Sequence, residues 1–302
     1  MGRSLRNLLR ATIFSFYLLG ALPVWSATVG LLVDAQSKQI SIFQQQLENL
    51  LPNDQLLLVT LDQLDTTNLK DAQKWVTLGP NALTALMAQE ATSKTPVLSL
   101  FLSKDKQEAL SKQYPSRFTI LTNAPTIERQ LALVKTMVPN ANHIGVYCST
   151  TYKVDEKRYD EIATSYGLTL HWAKLKDPLD WDRNALKILN NVDLVLGVDD
   201  DALYNTTTIR SILMRLYRSG KALIGPDKGY VRAGAVASVY SGISETLKAV
   251  ANWVSTSTAG KQTLNNPYFN VSVNAQVARS LNIVVDDEAS LAKQVKERLN
   301  EK

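Results

Sequence analysis

One cysteine, Cys148, occurs in 302 residues, so no disulfide can form within the chain in any redox compartment. Histidine is almost as scarce: His143 stands just before an apolar run and His171 inside another. Neither belongs to an H-E-x-x-H arrangement, and the chain has no G-x-S-x-G elbow and no Walker-type phosphate loop. Hydrolase and metalloenzyme chemistry therefore lack a motif, and no catalytic residue and no cofactor is expected. Cys148 closes an apolar run and reads as a buried, inert thiol. No internal repeat, low-complexity tract or long block of like charge is present. The net charge of +5 includes Arg3, Arg6 and Arg10, so the chain beyond residue 26 carries only +2. A mixed, nearly balanced surface gives no case for nucleic acid.

Those three arginines introduce the first positive signal. They precede an uncharged apolar run, Ala11 to Leu22, and then Pro-Val-Trp-Ser-Ala. A basic start, a short apolar centre and small residues at the end describe a secretory signal peptide over 1–26, with Val24 at −3 and Ser26 at −1. Twelve apolar residues are short for a bilayer span, which disfavours an uncleaved anchor. No cysteine follows the run, as a lipoprotein signal would require. The remaining chain is expected in the periplasm, as a soluble monomer.

Beyond the leader, short apolar runs alternate with amphipathic stretches. Strands are expected at Thr28 to Val33, Leu56 to Leu61, Trp75 to Leu78, Pro96 to Leu102 and Phe118 to Leu121, with helices between the first two and from Ala82 to Ala88. The pattern restarts with a helix from Thr126 to Met137. Strands follow at Ile144 to Cys148, Leu168 to Ala173, Val192 to Val198 and Ala222 to Ile224. Helices are expected at Asp155 to Tyr166, Trp181 to Asn190, after the threonine run near residue 206, and at Ser241 to Val254. The tail reads as a strand from Tyr268 to Val273, a short helix from Ala275 to Ser280, and a strand at Ile283 to Val285. Strand–helix alternation at this spacing means parallel sheets with right-handed crossovers. The chain thus holds two α/β units in series, with a tail long enough to cross between them more than once.

The stretch Val192 to Gly234 carries the densest chemistry. Its apolar strand breaks into Asp199, Asp200 and Asp201, followed by Tyr204 and Asn205, and its second strand leads to Asp227. Ligands of open α/β sheets bind beyond the carboxyl ends of the strands. The segments Asp193 to Asp200 and Ala222 to Ala235 resemble the substrate-binding proteins of ABC transporters with the type I periplasmic-binding-protein fold, specifically a large bacterial group. That group's Asp motifs fall on Asp200 and Asp227, and its Gly-Ala on Gly234-Ala235. Leu78 to Ala82, Val138 to Val146 and the tail from Phe269 extend the likeness over the chain after the leader. The sequence departs from the group at Asp34-Ala-Gln-Ser, at Ser99 to Asp105 and around Val239 to Gly242.

The resemblance implies two Rossmann-like lobes joined by hinge crossovers: 27–122 with about 236–268, and 123–235 with about 269–302. It also implies an ABC permease as partner; a membrane sensor or envelope enzyme is the alternative, and a degenerate lobe pair that binds only protein a third. A small polar solute, such as an amino acid, would be held by groups from both lobes. Its carboxylate suits the helix start at Gly79 and Asn81, with hydroxyls from Ser99 and Ser103. Its ammonium suits Asp200 or Asp227, and Tyr204 and Tyr230 would pack on its apolar part. Each residue also has a plainer role open to it. The aspartates suit helix capping, Gly79-Pro80-Asn81 a turn, the serines ordinary surface positions and the tyrosines core packing. The acidic triplet lacks the spacing of a calcium loop.

Overall fold

The chain starts each of its two sheets with a central strand, moves to one edge, and then crosses back to build the other side. In the computed structural model, which describes residues 27–176, 181, 188–256 and 263–301, the first sheet has strand order β11-β5-β4-β3-β1-β2. Its strands are β1 (Thr28–Val33), β2 (Gln55–Thr60), β3 (Lys74–Leu78), β4 (Val97–Leu100), β5 (Thr119–Thr122) and β11 (Thr263–Asn265). The second sheet has the order β12-β10-β9-β8-β6-β7. It contains β6 (His143–Ser149), β7 (Thr169–Leu175), β8 (Leu194–Leu196), β9 (Leu223–Ile224), β10 (Ala237–Tyr240) and β12 (Asn270–Val273). Pairing from β2 to β5 and from β7 to β10 is parallel, and β12 runs antiparallel to β10. Both sheets thus share one winding, in which the order reverses between the first and third strands (β1 and β3; β6 and β8). Such switch points open a crevice at the carboxyl ends of the strands.

Two compact units result: Met1–Ile120 with Val250–Gln262, and Leu121–Ala249 with Thr263–Lys302. In the first, Leu32, Val59, Trp75, Leu83 and Leu86 form a core under α2 (Pro80–Met87). In the second, Ile144, Val146, Val195, Leu223 and Ala237 anchor a larger core. The centres of the inner strands β1, β3, β4, β6, β8 and β9 are buried, as parallel strands covered on both faces must be, while those of the edge strands β2, β7 and β11 are only half-buried.

Helix starts follow side-chain chemistry. Ser37 caps α1 (Lys38–Leu50) by accepting the Ile40 N–H at 3.2 Å, and Asp155 caps α5 (Glu156–Ser165) by accepting that of Arg158 at 3.1 Å. Further helices are α3 (Lys104–Gln113), α4 (Ile127–Met137), α6 (Ile209–Arg218), α7 (Lys228–Ala233), α8 (Ile243–Thr256), α9 (Ala275–Ser280) and α10 (Glu288–Asn300). Among the described residues, no helix is long and apolar enough to cross a membrane.

Several expectations need correction. The stretch 236–268, given whole to the first lobe, divides: β10 joins the second sheet through Ala237↔Ile224 and Val239↔Val271, and β11 joins the first. Ile283 to Val285 is not a strand. It joins neither sheet: the Ile283 N–H donates to Ala278 O at 2.8 Å, and Ile283 and Val285 pack on the second core while Val284 stays 91% exposed. The leader 1–26 and most of the expected helix Trp181 to Asn190 lie outside the described residues.

Candidate functional site

In the first unit the switch point lies between β1 and β3, and two residues meet there. Asp34, just beyond β1, accepts a hydrogen bond at 2.8 Å from the Asn81 side-chain amide in the first turn of α2. Both side chains are exposed, so the carboxylate keeps open capacity toward solvent. Gly79 leads into the same helix at φ +95°, a conformation that side chains resist, with nothing within 4 Å of where a Cβ would sit. Its N–H donates to Leu100 O at 3.1 Å, tying the end of β3 to that of β4. Pro80 has no N–H, so Asn81 supplies the first free-facing amide of the turn.

Beyond β4, Phe101 takes φ +58° and is 45% exposed, with its ring edge-on to Phe43 at 6.4 Å between centroids. A bulky residue held in the left-handed region stores about 1–2 kcal/mol, and strain of this kind clusters at ligand sites. No sequence signal marks positive φ at a phenylalanine, so Phe101 escaped the candidate set; Asp34 was marked in the sequence only as part of a departure from the family pattern. Ser103 is exposed at the N-cap of α3, where its carbonyl accepts the Gln107 N–H at 2.9 Å.

Ser99 is not on this rim. It is wholly buried beside its register partner Thr77, and neither hydroxyl has a hydrogen-bond partner. An unmet buried hydroxyl keeps its desolvation cost without compensation. Ser99→Ala and Thr77→Val are therefore expected to raise the unfolding free energy by about 1 kcal/mol each. Urea denaturation would show this as a higher midpoint at unchanged slope.

The second unit has its switch point between β6 and β8, and here the carboxylate is buried. Asp200 is 5% exposed and receives three donors: Ser149 N–H at 2.5 Å, Ser149 Oγ at 3.1 Å and Ala202 N–H at 3.2 Å. It fastens the end of β8 to that of β6. Tyr204 is 1% exposed, and its hydroxyl donates to Tyr147 O at 3.1 Å. Burial pushes the Tyr204 phenol far above its ordinary pKa.

Tyr230 lies edge-on to Tyr204 at 6.3 Å and donates its hydroxyl to Tyr204 O at 2.6 Å; burial raises its phenol to about 12. Asp227 is exposed and caps α7 by accepting the Gly229 N–H. Cys148 is wholly buried, and burial, helped by the Asp200 charge, pushes its thiol up to about 11. Among the described residues, no three His, Cys, Asp or Glu gather to hold a metal.

Of the residues that the sequence singled out, Gly79 and Asn81 stand together at the start of α2, and Asp200, Tyr204 and Tyr230 meet in the second unit, whereas Ser103 and Asp227 cap helices of their own beyond β4 and β9. The family model for ABC transporter substrate-binding proteins matches residues 30–296. The chain belongs to that family. As folds, solved relatives of this substrate-binding protein include the ligand-free, open form of CD0873 from Clostridium difficile, a substrate-binding protein with adhesive properties. The two share 13% identity over 86% of this chain and 96% of that one, with a TM-score of 0.62. An ABC domain from Streptococcus pneumonia in complex with L-Trp shares 16% over 89% and 98%, with a TM-score of 0.50. A conserved domain protein from Vibrio cholerae shares 17% over 88% and 98%, also at 0.50. No curated protein matches the chain. The substrate-binding protein therefore has the type I periplasmic-binding-protein fold.

Proposed function

We propose that this substrate-binding protein works outside the cytoplasm, after loss of residues 1–26. In this reading it captures an amino acid or related small polar solute with groups from both units, here assigned to the two lobes of the fold, and delivers it to an ABC permease without catalysis. The family match over residues 30–296 carries the proposal. The exposed groups at the strand ends supply the solute chemistry. The first-turn amide of Asn81 suits a carboxylate, supported by Gly79 and Ser103. Asp227 suits an ammonium, with Asp34 a second exposed carboxylate. Phe101 offers an apolar face. Asp200 and Tyr204 act from behind, as buried supports of the second unit's loops.

Calorimetry with an amino-acid panel, and sugars as controls, tests the assignment. For the best ligand, Asp227→Asn and Phe101→Ala are each expected to weaken binding about tenfold, a change of about 1.4 kcal/mol. Affinity that is unchanged in both variants would remove this rim from the site. A sugar as the best ligand would overturn the amino-acid assignment while leaving the binding role intact.

A further inference from the structure

At the amino ends of β6 and β7, away from the strand ends that carry Ser149 and Asp200, the two histidines of the chain face each other. His143 Nδ1 lies 3.1 Å from His171 Nε2, with ring centroids 5.2 Å apart and planes inclined at 60°. The parallel register produces this meeting: His143 stands opposite Thr169, and His171 opposite Gly145, so both imidazoles leave the same face of adjacent strands. The backbone beneath them is held firmly. Asp193 accepts the N–H groups of Asn142 and His143 at 2.7 and 2.8 Å, and its own N–H donates to His143 O at 2.7 Å. Burial alone would raise the Asp193 carboxyl, but those two donors, together with nearby positive charge such as that of Lys221, hold the group below its usual range.

We propose that His143 and His171 form a two-imidazole clip for a late first-row divalent cation, of the copper, nickel or zinc class. Two nitrogens 3.1 Å apart, each about 2.0–2.1 Å from one ion, subtend about 100° at the metal, between the octahedral and tetrahedral angles. The nitrogen spacing of the pair is thus already a chelating bite. Imidazole selects this metal class over magnesium and calcium, which prefer oxygen. Among the described residues, no third His, Cys, Asp or Glu completes the set. The remaining positions therefore fall to water or to a donor from outside the chain. With β6 seven residues long, His143 sits about 20 Å along the strand from Ser149, and His171, opposite Gly145, about 13 Å. The clip can fill without touching that end of the strand.

The test uses protein without a histidine tag, titrated with Cu²⁺ alone and followed by calorimetry and electron paramagnetic resonance. One equivalent is expected to bind with coupling to two nitrogens. Each of His143→Ala and His171→Gln should leave coupling to one nitrogen and weaken binding at least tenfold, with the thermal melt of the apo-protein unchanged. Binding of equal strength in the double variant, or Mg²⁺ competing at equal concentration, would overturn the proposal. In that event the pair is only an N–H···N hydrogen bond.

Discussion

Replacing Asp200 by alanine is expected to lower the unfolding free energy of the second unit by about 3 kcal/mol. The substitution removes the acceptor of three donors, and the Ser149 N–H that it abandons lies at a buried strand end. Asparagine keeps the volume but presents one acceptor where two oxygens had accepted. Asp200→Asn should therefore cost about half as much. Native-state hydrogen exchange locates the effect. Amides of β6 and β8 should lose protection while those of β1 and β3 keep theirs, because only the former are joined through this carboxylate. The same experiment separates two roles for Asp200. A residue that met the solute directly would weaken ligand binding while leaving exchange in the apo-protein unchanged. A residue that holds the loop would move exchange first.

This contrast shows what the sequence could and could not disclose. Apolar runs located ten of the twelve strands among the described residues, because a strand buried on both faces has little choice of composition. Strand–helix alternation gave the parallel pairing, but not the strand order within each sheet. Helix α3 was missed because Lys104–Gln113 is polar nearly all round and buries only Leu110. Helix α10 did carry a signal: Asp287 as N-cap, followed by Leu291 and Val295 one turn apart. Strand β10 is four residues between two longer features, and pairing with β9 and β12, not composition, makes it a strand.

At the site, the aspartates were legible as strand-end residues, but their burial was not. Asp200 and Asp227 occupy equivalent places after β8 and β9, yet the first is enclosed by Ser149 and the second faces solvent. That difference comes from a neighbouring strand end, Ser149 of β6, that reaches Asp200, which is a tertiary fact. Tyr204 and Ser99 went inward for the same kind of reason, and Phe101 adopted a backbone conformation that its side chain does not favour.

The first unit offers the sharper packing test, at Gly30. This residue stands opposite Trp75 in the β1–β3 register, and the indole lies flat across the space where a side chain would begin. A Cβ added there would meet three ring carbons of Trp75 at under 3.0 Å, a separation that real Cβ atoms essentially never show. Trp75 is itself wholly buried against the core under α2 and has no room to withdraw. Gly30→Ala is therefore expected to cost about 3 kcal/mol by overpacking, although alanine suits a strand no worse than glycine does. Trp75→Leu should cost a similar amount for the opposite reason, about 3 kcal/mol of lost burial and residual cavity. Combined, the new methyl group enters the space that the indole vacated. The double variant is then expected to recover about 2 kcal/mol relative to the sum of the single changes. Additive losses in a denaturant-based double-mutant cycle would mean that the two residues do not share that volume. The close approach of β1 to the indole would then not be what demands glycine at position 30.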